Sequence, residues 1–305
     1  MMVRKVLCKS ALVKSGIADH ALNPYTGCAH GCVYCYASFM GRFAPHGRPW
    51  GRWVDVKVNV ADTLRRDLQH LRRRAKGSPP EVFISSVTDA YQPLERTFRV
   101  TRACLEVIAT AVNEPAQQAL PLLTRPDASL LEPDASRPNS WLRVSILTKS
   151  DLVLRDLDVL QDIPGVEVGM TITTADDAVS KRYEPGAPPA TRRLAALRRL
   201  ADAGISTWAF ISPVLPYHAD SRPAVRSILT AVRDAGVVRV MVDRFNPYPA
   251  SVSRFLKVAS AEAAETLREY IASPREYLDR LRATVAEAAA GLGLAAKLFS
   301  ETASS

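Results

Sequence analysis

Six short apolar runs, each followed by a longer stretch with an apolar stripe, constrain this chain more than any other feature. The runs cover residues 54–59, 81–87, 142–149, 166–173, 207–213 and 237–245. Each is rich in Val, Ile or Thr and short enough for a strand buried on both faces. Between them lie helical patterns at 61–76, 99–113, 152–162, 189–203 and 224–235. In the first of these, Leu64, Leu68 and Leu71 share a stripe while Arg65, Arg66, Arg72 and Arg73 lie off it. Gly204 and Gly236 stand just past two of the helices, where a helix stop is expected. Such alternation implies a parallel sheet with helical crossovers, either an open doubly wound sheet or a full or partial barrel. In both, chemistry is expected on loops at the C-terminal ends of the strands.

Two segments break the rhythm. Residues 114–140 hold five prolines and no clear period, which reads as a flexible, disordered insertion. Beyond residue 250 the pattern is helical, with Ser273-Pro274 as a break. The expected organisation is an N-terminal arm at 1–22, a core at 23–250 and a C-terminal helical cap at 251–305. No run of about 18 apolar residues is present, so no membrane-spanning helix is expected. No secretory signal is recognisable either. The net charge of +9 suits a polyanionic partner such as nucleic acid, but solvated arginine-rich helices would give the same total.

The five cysteines do not form a disulfide framework, since three of them crowd into the stretch NPYTGCAHGCVYCYA at 23–37. Cys28, Cys32 and Cys35 are spaced C-x3-C-x2-C, a set of soft ligands suited to zinc, copper(I) or an iron–sulfur cluster in a reducing, cytoplasmic setting. Structural zinc calls for four closed ligands. The remaining cysteines, Cys8 and Cys104, lie far along the chain, and His30 is the one alternative inside the loop. Three thiolates on a [4Fe–4S] cube leave one iron open to a substrate or cofactor.

This loop, with an aromatic residue before its last cysteine, resembles the signature of the radical S-adenosylmethionine (SAM) superfamily. Further landmarks follow in order: Trp50-Gly51, residues 56–59, the run Thr88-Asp89-Ala90-Tyr91-Gln92-Pro93-Leu94-Glu95, Leu147-Thr148-Lys149-Ser150, Glu184-Pro185-Gly186 and Pro213-Val214-Leu215-Pro216. Together they resemble the spore photoproduct lyase-like, or DNA repair photolyase-like, branch. The resemblance implies a partial (β/α)6 TIM-type barrel with C-terminal helices. It also implies a [4Fe–4S] cluster on Cys28, Cys32 and Cys35, SAM on the open iron, and a 5′-deoxyadenosyl radical as the reactive species. An external electron donor of the flavodoxin or ferredoxin type is implied too.

Site residues follow from the same resemblance. Tyr34 is expected against the adenine and Lys149 on the SAM carboxylate. Ser86 and Thr88 and, one strand further on, Thr171 and Thr173 are candidates for hydroxyl contacts, and Glu184 for a ribose hydroxyl. Tyr34, Tyr36, Asp89 and Tyr91 are the candidate catalytic set, though Asp89, Tyr91 and Glu95 could equally cap the helix that follows them. His218 and Asp220 sit in a strand-end loop that could face substrate. Arg42, His46, Arg48, Trp50, Arg52 and Trp53 interleave charge and aromatic rings, a pattern that grips phosphates and stacks on bases. In this branch a cysteine near the end of the second strand supplies a hydrogen atom; Ser86 stands there in this chain. Three readings remain: radical chemistry on a nucleic acid lesion or base, radical chemistry on a small metabolite or peptide, and a non-catalytic metal-binding protein.

Overall fold

A computed structural model describes residues 1–75, 77–114 and 140–298; the expected insertion at 114–140 falls almost wholly outside them. The chain opens with β1 (Met2–Val6), β2 (Leu12–Lys14), β3 (His20–Leu22) and β4 (Tyr25–Thr26). The cysteine loop and two 3-10 turns, Tyr36–Phe43 and Pro45–Gly47, lead to β5 (Trp53–Lys57) and α1 (Val60–Arg74). Next come β6 (Glu81–Ile84), the short α2 (Glu95–Phe98), and α3 (Val100–Asn113). β7 (Arg143–Thr148) is followed by a 3-10 turn and α4 (Leu157–Gln161), and β8 (Glu167–Thr171) by α5 (Asp177–Tyr183) and α6 (Ala190–Asp202). β9 (Ser206–Ile211), α7 (Arg222–Asp234) and β10 (Arg239–Val242) complete the alternation. The chain then runs through α8 (Pro249–Leu256), α9 (Ala261–Ala272) and α10 (Pro274–Ala290) into β11 (Ala295–Leu298).

An eight-stranded sheet runs in the order β11-β10-β9-β8-β7-β6-β3-β2. Every pair from β3 to β11 is parallel, and β2 lies antiparallel on the outer edge. The six strands β3, β6, β7, β8, β9 and β10 form the partial (β/α)6 barrel. Their neighbour-by-neighbour order in the chain is the product of successive strand–helix–strand crossovers. Strand cores such as Val82, Ile84, Val144, Ile146, Val168 and Met170 are almost fully buried, as helices on the outside of a parallel sheet require.

Three departures from the sequence reading position the site. The run at 54–59 is a strand, but it belongs to a separate three-stranded sheet, β1-β5-β4, not to the barrel. The first parallel barrel strand is instead the three-residue His20–Leu22, paired with Val82–Ile84. It lies within the expected arm and is too short to show a period. At the other end Ala295–Leu298 adds a parallel strand to β10, where only helices were expected; its alanine-rich sequence has little β preference, and the open sheet edge decides. The small sheet holds the start of the cysteine loop. β4 pairs with β5, Lys57 Nζ donates to Asn23 O at 2.8 Å, and Arg4 grips the Asp55 carboxylate with Nε–Oδ1 at 2.7 Å. Asn59 exchanges hydrogen bonds with the backbone of Cys8 at 2.8 and 2.9 Å, tying the arm to the start of α1.

Candidate active site

The cysteine loop lies across the C-terminal end of the barrel and is held by four elements. From the loop after β6, Thr88 Oγ1 donates to Gly27 O at 2.6 Å and Gln92 Oε1 accepts from Ala29 N at 2.8 Å. From the α5 end, Val33 N donates to Tyr183 O at 3.0 Å and Gly186 N to His30 O at 2.9 Å. Gly186 lies so close that a Cβ there would fall 2.4 Å from Ala29 O, so the approach depends on glycine. From α8, Arg254 donates Nε to Val33 O at 2.9 Å and Nη2 to Cys35 O at 3.1 Å and Ser38 Oγ at 2.9 Å. The fourth support comes before β5: Gly51, at φ +83°, brings its backbone against Gly31 so tightly that a Cβ would meet Gly31 Cα at 2.7 Å.

Cys28 and Cys32 are buried and Cys35 half-buried, and all three are free thiols. Burial pushes the Cys28 thiol well up, and Asp89, Cys32 and Cys35 push it further. Burial likewise raises Cys32, to about 12, against the pull of Lys149. Burial raises all three thiols, and a cationic centre such as a cluster iron would offset that by stabilising their thiolates. Among the described residues no three Cys, His, Asp or Glu side chains are arranged to hold one metal ion. A cube places its three thiolates on three different irons, so it does not need such convergence, whereas zinc does.

Beneath the loop sits a charged pair of fully buried side chains. Glu184 accepts the hydroxyls of Tyr34, Thr173 (3.0 Å) and Ser180 (3.1 Å) and the guanidinium of Arg193. Burial would raise its carboxyl, but Arg193, then Lys149, and the bonds from Arg193 and Tyr34 overcome that and hold it at about 2. Arg193 also donates to Thr171 O at 3.1 Å and Pro188 O at 2.8 Å. Lys149 Nζ stands 3.9 Å from Glu184 Oε1 and 5.6 Å from the Tyr34 ring centre. One cation, one aromatic face and one buried carboxylate thus converge beside Cys32.

A second carboxylate orders the strand ends. Asp89 accepts from Thr148 Oγ1 at 2.7 Å, Lys149 N at 2.7 Å and Tyr91 N at 2.9 Å. His30 Nδ1 lies 3.3 Å away but out of hydrogen-bond alignment. Burial pushes Asp89 up, yet His30 and these donors bring it to about 2. Asp89 is therefore a fixed anion that sets the direction of Lys149.

Most of the residues singled out from the sequence gather here. Ser86 and Thr88 are half-buried at the β6 end, with Ser86 Oγ accepting from Asn23 Nδ2 at 2.9 Å. The Tyr36 ring is half exposed, while its hydroxyl turns inward and donates to Ser86 O. Thr171 is buried, its carbonyl taken by Arg193. Tyr91 is a correction: its ring is fully buried, and Asp156, Glu95 and Arg155 are its charged neighbours. Arg155 Nη2 donates to Glu95 Oε1 at 2.8 Å, so these groups form a structural network under α3 that substrate does not reach. Trp53 is likewise fully buried in β5, whereas Arg42, His46, Arg48 and Arg52 are exposed. His218 pairs with the Tyr183 hydroxyl at 3.0 Å, and Asp220 accepts from Tyr277 at 2.7 Å, which anchors that loop. Gln92 and Thr148 belong to the landmark runs without a role of their own in the sequence, and Arg193 and Arg254 carry no sequence signal at all. Arg193 and Arg254 sit on helices among many arginines, and no local signal separates them.

A parallel partial barrel with a three-cysteine loop at its mouth, faced by a lysine and a buried carboxylate, defines an iron–sulfur radical enzyme. The family model described as "Radical SAM superfamily" matches residues 22–226, and the chain belongs to that superfamily. Its enzymes use a [4Fe–4S] cluster and SAM. An uncharacterized protein of Methanocaldococcus jannaschii is 35% identical over 199 residues, 65% of this chain and 61% of that protein. An uncharacterized protein of Mycobacterium tuberculosis is 28% identical over 249 residues, 78% of this chain and 63% of that protein. The chain thus spans somewhat under two thirds of these relatives' length. Among solved structures, a spore photoproduct lyase variant with bound AdoMet and dinucleoside spore photoproduct superposes with a TM-score of 0.68 at 16% identity, covering 97% of this chain and 81% of that one. Streptococcus suis SuiB bound to S-adenosylmethionine gives 0.54 at 12% identity, covering 92% and 49%. These two likenesses are of fold. No helix among the described residues is long and apolar enough to cross a membrane.

Proposed function

We propose that this radical SAM enzyme acts on a nucleic acid, at a lesion or a modified base. The observation that carries the reading is the extent of the fold match. The structure solved with a dinucleoside photoproduct matches 97% of this chain and 81% of its own length, whereas SuiB, also solved with a precursor peptide, matches 92% of this chain but only 49% of its own length. The basic balance of the chain supports the same choice.

In this reading the catalytic core extends the expected 23–250 back to the strand His20–Leu22, and the helices α8, α9 and α10 follow it as a cap. Cys28, Cys32 and Cys35 hold the cluster, which together with SAM supplies the 5′-deoxyadenosyl radical. Lys149, aimed by Asp89, pairs with the SAM carboxylate. Tyr34 lies against the adenine, with its hydroxyl tethered to Glu184. Glu184 already accepts four donors, so it braces Tyr34 and Lys149 instead of reaching for a ribose hydroxyl. The Tyr36 hydroxyl donates to Ser86 O at the rim, where a substrate radical would be quenched. A serine O–H is much stronger than a thiol S–H, so Ser86 is a poor hydrogen-atom donor. That single residue favours a substrate other than spore photoproduct, and it is the observation that favours the second reading, a small metabolite or peptide. Cys8 and Cys104 are too few for a second cluster, which argues against sulfur insertion, and the electron comes from an external flavodoxin- or ferredoxin-type donor. The free thiols fit a reducing, cytoplasmic setting.

The test is anaerobic reconstitution followed by measurement of 5′-deoxyadenosine with and without lesion-bearing single-stranded oligonucleotides. Stimulation by the oligonucleotide is expected; stimulation by peptides alone would overturn the nucleic-acid reading.

A further inference from the structure

The turn that follows the last cysteine is built unlike the rest of the surface. Over Tyr36–Phe43 three large aromatic side chains are about half exposed: Tyr36 46%, Phe39 49% and Phe43 52%. Their rings are organised. Tyr36 and Phe39 lie with centroids 6.4 Å apart at 32°, and the Arg42 guanidinium stands 5.7 Å from the Phe39 centre and 4.9 Å from that of Phe43. Exposed phenylalanines held in register by an arginine are costly as ordinary surface, since each leaves apolar area in water.

The turn is also fixed relative to the chemistry. Tyr36 adjoins Cys35 and its hydroxyl is bound at Ser86 O on the barrel rim. Arg254 ties Ser38 Oγ and Cys35 O together from behind. The aromatic strip therefore cannot drift from the mouth. Its charge has one sign. No Asp or Glu occurs between Asp19 and Asp55, while Arg42, Arg48 and Arg52 all fall in that interval and are exposed. Among the described residues Arg42 makes no ion pair, so its charge is available to a phosphate.

We infer that the Tyr36–Phe43 turn is a stacking platform that seats the unpaired nucleotides flanking the reacting base, with Phe39 and Phe43 under successive bases and Arg42 on a phosphate. Aromatic faces with interspersed arginine accept any base by stacking, and the phosphate contact adds a salt-dependent attraction. A duplex hides its base faces, so the occupant is single-stranded or locally unpaired. The inference deepens the nucleic-acid reading above and rests on it.

Fluorescence anisotropy of a labelled single-stranded oligothymidylate, titrated with the anaerobically reconstituted full chain over a salt series, tests it. The native chain should bind the single strand more tightly than the matching duplex. The Phe39→Ala and Phe43→Ala variants should each weaken binding about 5- to 150-fold, the worth of stacking on one base. Phe43→Trp should bind at least as tightly as the native chain. Arg42→Ala should lower the slope of log affinity against log salt by about 0.7, one phosphate on a single strand. Cluster absorbance should be unchanged throughout. Native binding that survives the Phe variants would overturn the platform while leaving the nucleic-acid reading in place. No oligonucleotide binding by the native chain would overturn both. A native dimer that the Phe variants convert to monomer, with oligonucleotide affinity unchanged, would assign the strip to an interface between copies and overturn the inference.

Discussion

Replacing Arg193 with Met removes a buried guanidinium and leaves the volume nearly filled. Both Arg193 and Glu184 are fully buried, so the variant strands a carboxylate with no access to water. Breaking one partner out of such a pair costs about 3–5 kcal/mol. Burial pushes the Glu184 carboxyl up, and Arg193, ahead of Lys149 and Tyr34, is what holds it down at about 2, so its removal takes away the largest stabiliser of the charge. The sign with pH follows. In the native chain the carboxyl lies below its unfolded value, so its contribution is complete above about 4.5 and fades as pH falls toward 2. In Arg193→Met the carboxyl moves up, and the deficit should narrow as pH falls from neutrality, because Glu184 can then take a proton. Urea denaturation of native, Arg193→Met, Glu184→Gln and double-variant proteins measures this. The double variant should recover much of the loss, since no buried charge remains. A loss below about 1 kcal/mol in Arg193→Met, or a double variant no better than the single, would refute the reasoning.

Replacing any of Cys28, Cys32 or Cys35 with Ala should abolish the iron content and brown colour of anaerobically prepared protein. Cys8→Ala and Cys104→Ala should keep both, because Cys104 is a fully buried member of the α3 core and Cys8 lies at the arm. Lys149→Met should weaken SAM binding about 10- to 150-fold by calorimetry, the worth of one charge-assisted hydrogen bond; unchanged affinity would remove Lys149 from the SAM seat. Arg254→Gln should speed cluster loss to a chelator, since three hydrogen bonds to the loop and the following turn disappear, and an unchanged rate would assign Arg254 to the cap alone. The native enzyme should release little thymine from dinucleotide spore photoproduct, and Ser86→Cys should release more. Clean multiple turnover by the native enzyme would show that Ser86 is no barrier.

The barrel was legible because long parallel strands must be apolar on both faces. Residues 81–87, 142–149, 166–173, 207–213 and 237–245 announce themselves by composition; four of them contain the observed strand whole, and β9 begins one residue earlier, at Ser206. His20–Leu22 and Ala295–Leu298 did not, since three or four residues hold no readable period and their pairing is granted by a neighbouring edge. The strand at 54–59 was visible as a strand, but its sheet was not, because partner choice is a long-range matter: β5 pairs with Met2–Val6 across about fifty residues of chain.

The chemistry divides along the same line. Sequence alone determined the three-cysteine loop and the family, because thiolate identity and spacing are local requirements of a cluster ligand set. It also marked Lys149 and Asp89, which follow strand ends where a barrel puts its chemistry, and Glu184, which caps α5 after the β8 strand. Only the tertiary structure decided what each of them does. Glu184 is spent on Arg193, Tyr34, Thr173 and Ser180, residues spread along the chain from Tyr34 to Arg193. Tyr91 withdraws into the core while Phe39 and Phe43 remain in water. Exposure and ion pairing depend on what folds over a residue, and no local pattern of side chains encodes that.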